Sequence, residues 1–145
     1  MSDIVIRPAK ESDWAAVAEL LRVCALPLDG AQEHLSGFLL AVVDGVVVGT
    51  AGLEAYADTA LLRSVAVSPA VRGRGIGHAL VEAIHSEARR RGVKKLYLLT
   101  TTATNYFSKM GFSTVARRQA PAELEASAEF QGVCPSSAAF MSREV

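Results

Sequence analysis

The spacing of apolar residues along the chain predicts short strands with helices between them. Asp3–Arg7 alternates polar and apolar side chains before a proline and predicts a strand at a sheet edge. The clearest hairpin is Phe38–Val43 followed by Val46–Leu53, because the Asp44–Gly45 pair between two apolar runs is a strong two-residue turn signal. We therefore expect a sheet that contains antiparallel neighbours.

The remaining elements follow from the same patterns. Further strands are predicted at Leu61–Val67, Val93–Thr101, Ser113–Arg117 and Ser137–Met141. Helices are predicted from Trp14 to Cys24 with Ser12 or Asp13 as the cap, at Ala31–Gly37, from Ile76 to Ala88, from Thr102 to Met110 and at Ala122–Glu129. Strands interleaved with helices indicate an α/β fold with one sheet, and 145 residues is the length of one domain, residues 1–145.

The central stretch, Leu61–Gly92, joins a strand to a helix through a glycine-rich turn. Ser68-Pro69 ends the strand, and the turn reads R-G-R-G-I-G from Arg72 to Gly77. Glycines let backbone N–H groups approach a ligand closely, and the helix N-terminus adds partial positive charge. The stretch therefore predicts a site for an anionic phosphate.

Two classes of phosphate site contain a glycine-rich turn of this kind. A dinucleotide-binding fold would place G-x-G-x-x-G near the N-terminus, with an acidic residue about 20 positions later. Here the turn lies in mid-chain and resembles the acyl-CoA pyrophosphate loop of the GCN5-related N-acetyltransferases (GNAT), Q/R-x-x-G-x-G/A, at Arg72, Gly75 and Gly77. V-A-V-S-P before the turn and Y-F-S-K-M-G-F (Tyr106–Phe112) after it extend the resemblance over most of the chain.

The resemblance implies a single GNAT-type domain with a mixed, mostly antiparallel sheet and flanking helices. It implies acetyl-CoA as co-substrate, no metal, and direct acetyl transfer to the primary amine of a small amino-acid-like acceptor. The implied CoA ligands are the main chain of Val65, Ala66 and Val67, the turn residues Arg72, Gly73, Arg74, Gly75, Ile76 and Gly77, and the hydroxyl of Thr102. Thr102 is equally consistent with a structural role.

Candidates for the base and for acceptor binding come from the strand before the loop. Many family members carry a Glu there, where this chain has Leu61 and Leu62, so Glu54 at the end of the preceding strand is the candidate base. The alternative is a solvated strand-end glutamate. Arg63 needs an anionic partner in an apolar strand, which is either Glu54 or an acceptor carboxylate. His34, in the segment that usually covers the acceptor, is a further site candidate.

The general acid has two candidate sources. Most family members place a Tyr four residues before the Gly of the G-F pair, and this position is Phe107 here. Tyr106 lies one residue earlier, a step of about 100° on a helix. Either Tyr106 or solvent therefore protonates the departing thiolate.

Two narrower resemblances bear on the acceptor. L-L-R-S-V-A-V and L-L-T-T-T-A-x-x-Y-F-x-x-x-G-F resemble the catalytic domain of N-acetylglutamate synthases. G-L-E at Gly52–Glu54 and the tail E-F-x-x-x-C-P-S-S-A from Glu129 resemble the small N-acetyltransferases of arsenic-resistance operons, which we favour. A domain that binds acyl-CoA and signals without turnover is the alternative from another class.

Composition and charge limit the kinds of binding partner and the cellular location that we expect. Fifteen basic and fifteen acidic residues give no net charge, so we expect no nucleic-acid partner. Neither a signal peptide nor a membrane span is recognisable, which predicts a cytoplasmic protein. The resemblance implies a homodimer through the C-terminal strands.

Cys24 and Cys134 are interpreted as packed residues. His78 and His85 are predicted on an exposed helix face, without metal-type spacing.

Overall fold

One sheet of seven strands organises the molecule in a computed structural model, which describes residues 3–130 and 138–145. The strands are β1 (Val5–Pro8), β2 (Phe38–Val43), β3 (Val46–Tyr56), β4 (Thr59–Val67), β5 (Lys95–Thr100), β6 (Ser113–Thr114) and β7 (Ala139–Glu144). Their spatial order is β1-β2-β3-β4-β5-β7-β6, and only β4 and β5 are parallel neighbours among the described strands. The predicted α/β class with a mixed, mostly antiparallel sheet is confirmed.

Helices cover both faces of the sheet. The helices are α1 (Trp14–Val23), α2 (Ile76–Arg90) and α3 (Thr104–Ser108). Successive β2 residues point to opposite faces, so Phe38 and Leu40 pack with the apolar face of α1, while Ala41 packs with that of α2. The α2 face predicted from the sequence, with Leu80 and Ile84 at its centre, is fully buried.

The hairpin and the central helix lie where the local sequence patterns predicted them. Asp44 (φ 51°) and Gly45 (φ 77°) both adopt left-handed backbone between β2 and β3, as a two-residue hairpin turn requires. Strand β3 continues two residues beyond Glu54, the predicted strand end, to Tyr56.

Several predicted elements are shorter than expected. Ala31–Gly37 contains a 3-10 turn, Leu35–Gly37, and the helix predicted at Ala122–Glu129 is instead the 3-10 helix Ala122–Ala126. Within Ala122–Ala126 only Leu124 is buried, so the segment lacks the repeated apolar face that stabilises an α-helix. The predicted strand Ser113–Arg117 is limited to β6.

The last strand and the first helix also differ from prediction. Strand β7 runs to Glu144, past the apolar run, because it pairs with the whole of β5; the predicted start at Ser137 lies outside the described residues. Asp13 does not cap α1 through its side chain. Its carboxylate instead accepts hydrogen bonds from Arg7, at 2.8 and 2.9 Å, and from the Lys10 amide, which lower its pKa to about 2.

The sheet divides between β4 and β5. A bulge occurs in β4, where Arg63 pairs with Gly52 but Ala66 pairs with Thr50, and Ser64 there has φ 56°. A bulge bends its strand. The β4–β5 ladder accordingly consists of three pairs, from Thr59–Lys95 to Leu61–Tyr97, after which the strands continue without pairing with each other.

Within the described residues, the longest helix has 15 residues, and none combines the length and apolar character needed to cross a bilayer.

Candidate active site

A cleft of about 840 Å³ occupies the gap between β4 and β5. One wall is β4 from Leu62 to Val67, and the other is the segment Leu98–Ala103 at the end of β5. The glycine turn before α2 closes one end, where Arg72 and Gly77 lie, and Arg63 lies at the other. The separation of the two strands therefore creates the site and leaves the main chain of β4 facing it.

The glycine turn presents backbone N–H groups to the cleft. Gly73 (φ 85°) and Gly75 (φ 75°) adopt left-handed backbone, and Gly75 is the N-cap of α2. The first turn of a helix leaves its N–H groups without intrahelical partners and attracts anions. Ile76, Gly77, Gly73 and Gly75 all line the cleft, which fits the pyrophosphate of an acyl-CoA.

The two arginines of the turn differ in their contacts. Arg72 lines the cleft, and its Nε donates to the carbonyl of Val67 at 3.1 Å while Nη2 lies 3.5 Å from Cys24 Sγ. Arg74 is exposed and lies outside the cleft lining. Arg72 therefore ties the turn to the end of β4, whereas Arg74 faces solvent.

Tyr106 on α3 lines the cleft at the same end as the glycine turn. Its hydroxyl lies so close to Gly77 that a Cβ added there would collide with it. Phe107 is buried and packs against Phe112, with ring centroids 5.8 Å apart. The step of one residue thus leaves the phenol on the cleft side. Partial burial raises the Tyr106 pKa, so the phenol is protonated at neutral pH.

Two buried carboxylates and a buried arginine meet at the opposite end of the cleft. Arg63 Nη1 donates to Glu54 Oε2 at 2.7 Å, and Nη2 lies 3.3 Å from Glu129 Oε2. Nε donates to Ser64 Oγ at 3.0 Å, and Nη2 also donates to the Pro27 carbonyl at 3.2 Å. The expected pairing of Arg63 with Glu54 is present, and each of the three guanidinium nitrogens has a partner within the protein.

Glu54 is enclosed on every side. Its side chain is 0% exposed, so the alternative of a solvated strand-end glutamate is wrong. Tyr56 Oη donates to Oε1 at 2.5 Å, and His34 Nε2 lies 3.6 Å from the same oxygen. Burial, followed by the neighbouring Glu54, raises the pKa of Tyr56. His34 is partly exposed and adjoins the face of Glu54 away from Arg63, and neither Glu54 nor His34 is part of the cleft lining.

Glu129 was not selected from the sequence. Among the described residues it is the only carboxylate that lines the cleft. Burial and the neighbouring charge of Glu54 raise its pKa to about 7, against the opposing effect of Arg63. The sequence signal was present in the E-F pair of the tail, but the fold of that tail was needed to place the side chain.

The remaining candidates have simpler positions. Thr102 and the half-buried Cys24 line the cleft, whereas Cys134 lies outside the described residues. His85 is buried, contrary to prediction, and its Nε2 lies 3.3 Å from the Glu144 carbonyl. The helix face of His85 turns toward the end of β7, which apolar spacing alone did not reveal. In the described part of the chain no cluster of His, Cys, Asp or Glu has a metal-binding arrangement.

Comparison with known proteins identifies the family. Residues 8–112 match the model of the acetyltransferase (GNAT) family. This chain belongs to the GNAT family. The GNAT domain is similar to the N-acetylglutamate synthase of Neisseria gonorrhoeae, solved with coenzyme A and N-acetyl-glutamate, with a TM-score of 0.85, 25% identity, and coverage of 99% of this chain and 35% of that one. A Mycobacterium tuberculosis protein solved with CoA gives a TM-score of 0.80 at 26% identity over 97% of this chain and 99% of the other.

Curated relatives of this GNAT domain include proteins named amino-acid acetyltransferase. The Pasteurella multocida protein is 32% identical over 74% of this chain and 26% of its own length. The Mycobacterium tuberculosis protein is 32% identical over 83% of this chain and 74% of its own length. The match to the Pasteurella protein thus spans about a quarter of that relative, whereas the match to the mycobacterial one spans most of it.

Proposed function

We propose that this chain transfers the acetyl group of acetyl-CoA directly to the primary amine of a small, amino-acid-like acceptor. The observation that carries the proposal is the divided sheet: β4 leaves its main chain unpaired with β5 beside a cleft that ends at the N-terminus of α2. The names of the relatives and the CoA complexes of the structural neighbours support the same reaction.

The cleft offers a separate group for each part of acetyl-CoA. The N–H groups at Gly75–Gly77 suit the pyrophosphate, with Arg72 beside them. The main chain of Val65–Val67, which lines the cleft and does not pair with β5, suits the amides of pantetheine and supplies a donor for the thioester carbonyl as negative charge develops on its oxygen. The protonated phenol of Tyr106, which lines the cleft beside Gly77, is the candidate side-chain donor to the departing thiolate, with solvent as the alternative.

The acceptor end is acidic. Glu54 and Glu129 bring two carboxylates to one guanidinium, which favours an acceptor that arrives as an ammonium ion. Removal of a proton from that ammonium, which is necessary before the nitrogen can attack, falls to a carboxylate of this cluster. His34 contacts the cluster only through Glu54, whose Oε1 lies 3.6 Å from His34 Nε2, and it does not line the cleft.

Release of CoA from acetyl-CoA, measured over a panel of amines, tests the proposal. The panel contains glutamate, other amino acids, and phosphorus- and arsenic-containing amino-acid analogues; the last group tests the link to arsenic resistance suggested by the tail from Glu129. The control is the same acceptor with its amine blocked. We expect turnover on at least one free amine and none on its blocked form.

A contrary result is equally informative. CoA binding without turnover on any amine would contradict an acetyltransferase and favour a domain that senses acyl-CoA. Turnover confined to glutamate would favour an N-acetylglutamate synthase-like enzyme over the arsenic-linked type. A homodimer through the C-terminal strands and a cytoplasmic location stay predictions, to be tested by light scattering and by fractionation of cells.

A further inference from the structure

We propose that Glu129 is the catalytic base that takes the proton from the acceptor ammonium, and that Arg63 and Glu54 position it. This inference rests on the proposed N-acetyltransferase function. It replaces Glu54, the candidate from the sequence, by a residue of the C-terminal segment.

Access to the cleft separates the two carboxylates. Glu129 lines the cleft, and in the described part of the chain no other carboxylate does so. Glu54 is 0% exposed, and its two oxygens are occupied by Tyr56 at 2.5 Å and Arg63 at 2.7 Å. An amine in the cleft can therefore contact Glu129 directly but is separated from Glu54 by the guanidinium.

Arg63 holds Glu129 without neutralising it fully. The Nη2–Oε2 distance to Glu129 is 3.3 Å, longer than the 2.7 Å contact with Glu54. The nitrogens of Arg63 also contact Ser64 Oγ and the Pro27 carbonyl, and these contacts hold the guanidinium in its position between the two carboxylates. Glu129 thus keeps proton affinity that a tight, bidentate ion pair would remove.

Among the described residues, the charged and titratable groups near Glu129 lie on β4, on β3 and in the segment that contains His34. Arg63 on β4 faces it directly, and Glu54 on β3 lies behind Arg63. Tyr56 and His34 contact Glu54 rather than Glu129. Burial and Glu54 raise the pKa of Glu129 to about 7, which is near the optimum for a base that works at neutral pH.

The chemical step balances with these groups. Glu129 accepts one proton from R–NH3+, which gives R–NH2 with a free electron pair. As that nitrogen attacks the thioester carbonyl carbon, the C–N bond forms and the C–S bond breaks. The nitrogen releases its second proton to solvent. The thiolate gains a proton from solvent directly or from Tyr106, which then recovers one from solvent, and Glu129 returns its own proton to solvent. The net products are the N-acetyl amine, CoA–SH and one proton.

The pH dependence of kcat/KM for the acceptor tests the assignment. Wild-type activity should rise with pH and reach half its maximum near pH 7, where Glu129 ionises. In Glu129→Gln we expect a decrease of about 10²- to 10⁴-fold, with activity now rising only toward the pKa of the free amine. Glu129→Asp should restore part of the activity, because a carboxylate is present again.

Two further variants separate catalysis from structure. Glu54→Gln removes a negative charge that raises the Glu129 pKa, so the half-maximum should persist and move to lower pH. Glu123→Gln, an exposed glutamate of the same segment, is the matched control and should retain the wild-type profile. CoA affinity, measured for every variant, verifies that the cleft is intact.

The outcomes distinguish this inference from the function on which it rests. A wild-type protein that acetylates no amine overturns both. An active wild type whose profile is unchanged in Glu129→Gln overturns only the assignment of the base. If the half-maximum instead disappears in Glu54→Gln and persists in Glu129→Gln, Glu54 is the base.

Discussion

Arg63 is the residue on which the acceptor end of the cleft depends. Its guanidinium is buried between Glu54 and Glu129, so removal of its charge would leave two buried carboxylates without their common partner. Breaking a buried ion pair in this way is strongly destabilising because the remaining charge has neither water nor a counter-ion.

We expect Arg63→Met to lower the free energy of unfolding by about 3–5 kcal/mol at pH 8. Urea unfolding followed by circular dichroism measures this change. Arg22→Met is the matched control, because Arg22 forms an exposed pair with Glu19 at 3.6 Å and should change stability by about 0.5 kcal/mol or less. Equal effects of the two substitutions would contradict the buried cluster.

Glu129 should also be visible in the pH dependence of stability. Its pKa rises from an ordinary 4.5 to about 7 on folding, so between these values the folded protein retains a proton that the unfolded chain has lost. The contribution of Glu129 to stability is therefore fully present below about pH 4.5 and is lost as pH rises to about 7. The stability of Glu129→Gln relative to wild type should increase over this window, as urea unfolding at several pH values will show. A constant difference would indicate that the Glu129 pKa is not raised.

Tyr106 carries a prediction about the leaving group. Because its phenol is protonated and faces the cleft, Tyr106→Phe should lower kcat about 10²-fold while KM for acetyl-CoA changes little. Steady-state kinetics measure kcat and KM separately. Tyr97→Phe is the control, because Tyr97 stacks on Phe140 in the core. An unchanged kcat in Tyr106→Phe would mean that solvent supplies the proton.

At the scale of elements, the glycine turn and α2 act as one unit. Gly75 has φ 75° at the N-cap of α2, and Gly92 has φ 78° just beyond the C-terminus of the same helix. Neither position has an atom within 4 Å of an added Cβ, so alanine at either one introduces backbone strain without a collision.

We expect Gly75→Ala and Gly92→Ala to cost a similar stability, about 1–2 kcal/mol each, because both force alanine into left-handed backbone. Only Gly75→Ala should weaken CoA binding, since Gly75 lines the cleft and Gly92 does not. Isothermal titration calorimetry with CoA compares the two variants. Similar losses of affinity in both would assign the effect to the whole helix rather than to the turn.

Elements with local signals were predictable, and those set by distant contacts were not. Asp44-Gly45 and the turn from Arg72 to Gly77 specify their own backbone, and both were predicted correctly. The segment Ala122–Ala126 was predicted as an α-helix, but its single buried residue, Leu124, packs against Leu61, Tyr97 and Phe140 from three strands. Glu129 reaches the cleft through these contacts, which no spacing in its own segment encodes.

At the scale of the molecule, the divided sheet couples ligand binding to stability. Two parts of the sheet, β1–β4 and β5–β7, share only a three-pair ladder between β4 and β5, and the cleft widens beyond it. A ligand that contacts both walls holds them together, and any ligand that binds only the folded state stabilises it by mass action.

We expect CoA at about 100 times its dissociation constant to raise the free energy of unfolding by about 2.7 kcal/mol. For a domain of this size, that corresponds to an increase in Tm of roughly 5–10 °C. Differential scanning calorimetry measures it, with adenosine 3′,5′-bisphosphate, which lacks the pantetheine arm, as the comparison compound. A shift no larger than that caused by the bisphosphate would contradict a pantetheine site between β4 and β5.

The bulge at Ser64 gives the sheet an edge in its interior. Sheet edges invite pairing with other chains, and the outer edges here are short: β1 has four residues and ends in Pro8, and β6 has two. The internal edge of β4 is longer but lies in a cleft between two walls of the same sheet, where a strand of another folded protein cannot reach it. A narrow, extended ligand with amide groups can enter the cleft and pair with this edge. The same distortion that opens the sheet for a substrate therefore also protects the protein from edge-to-edge aggregation.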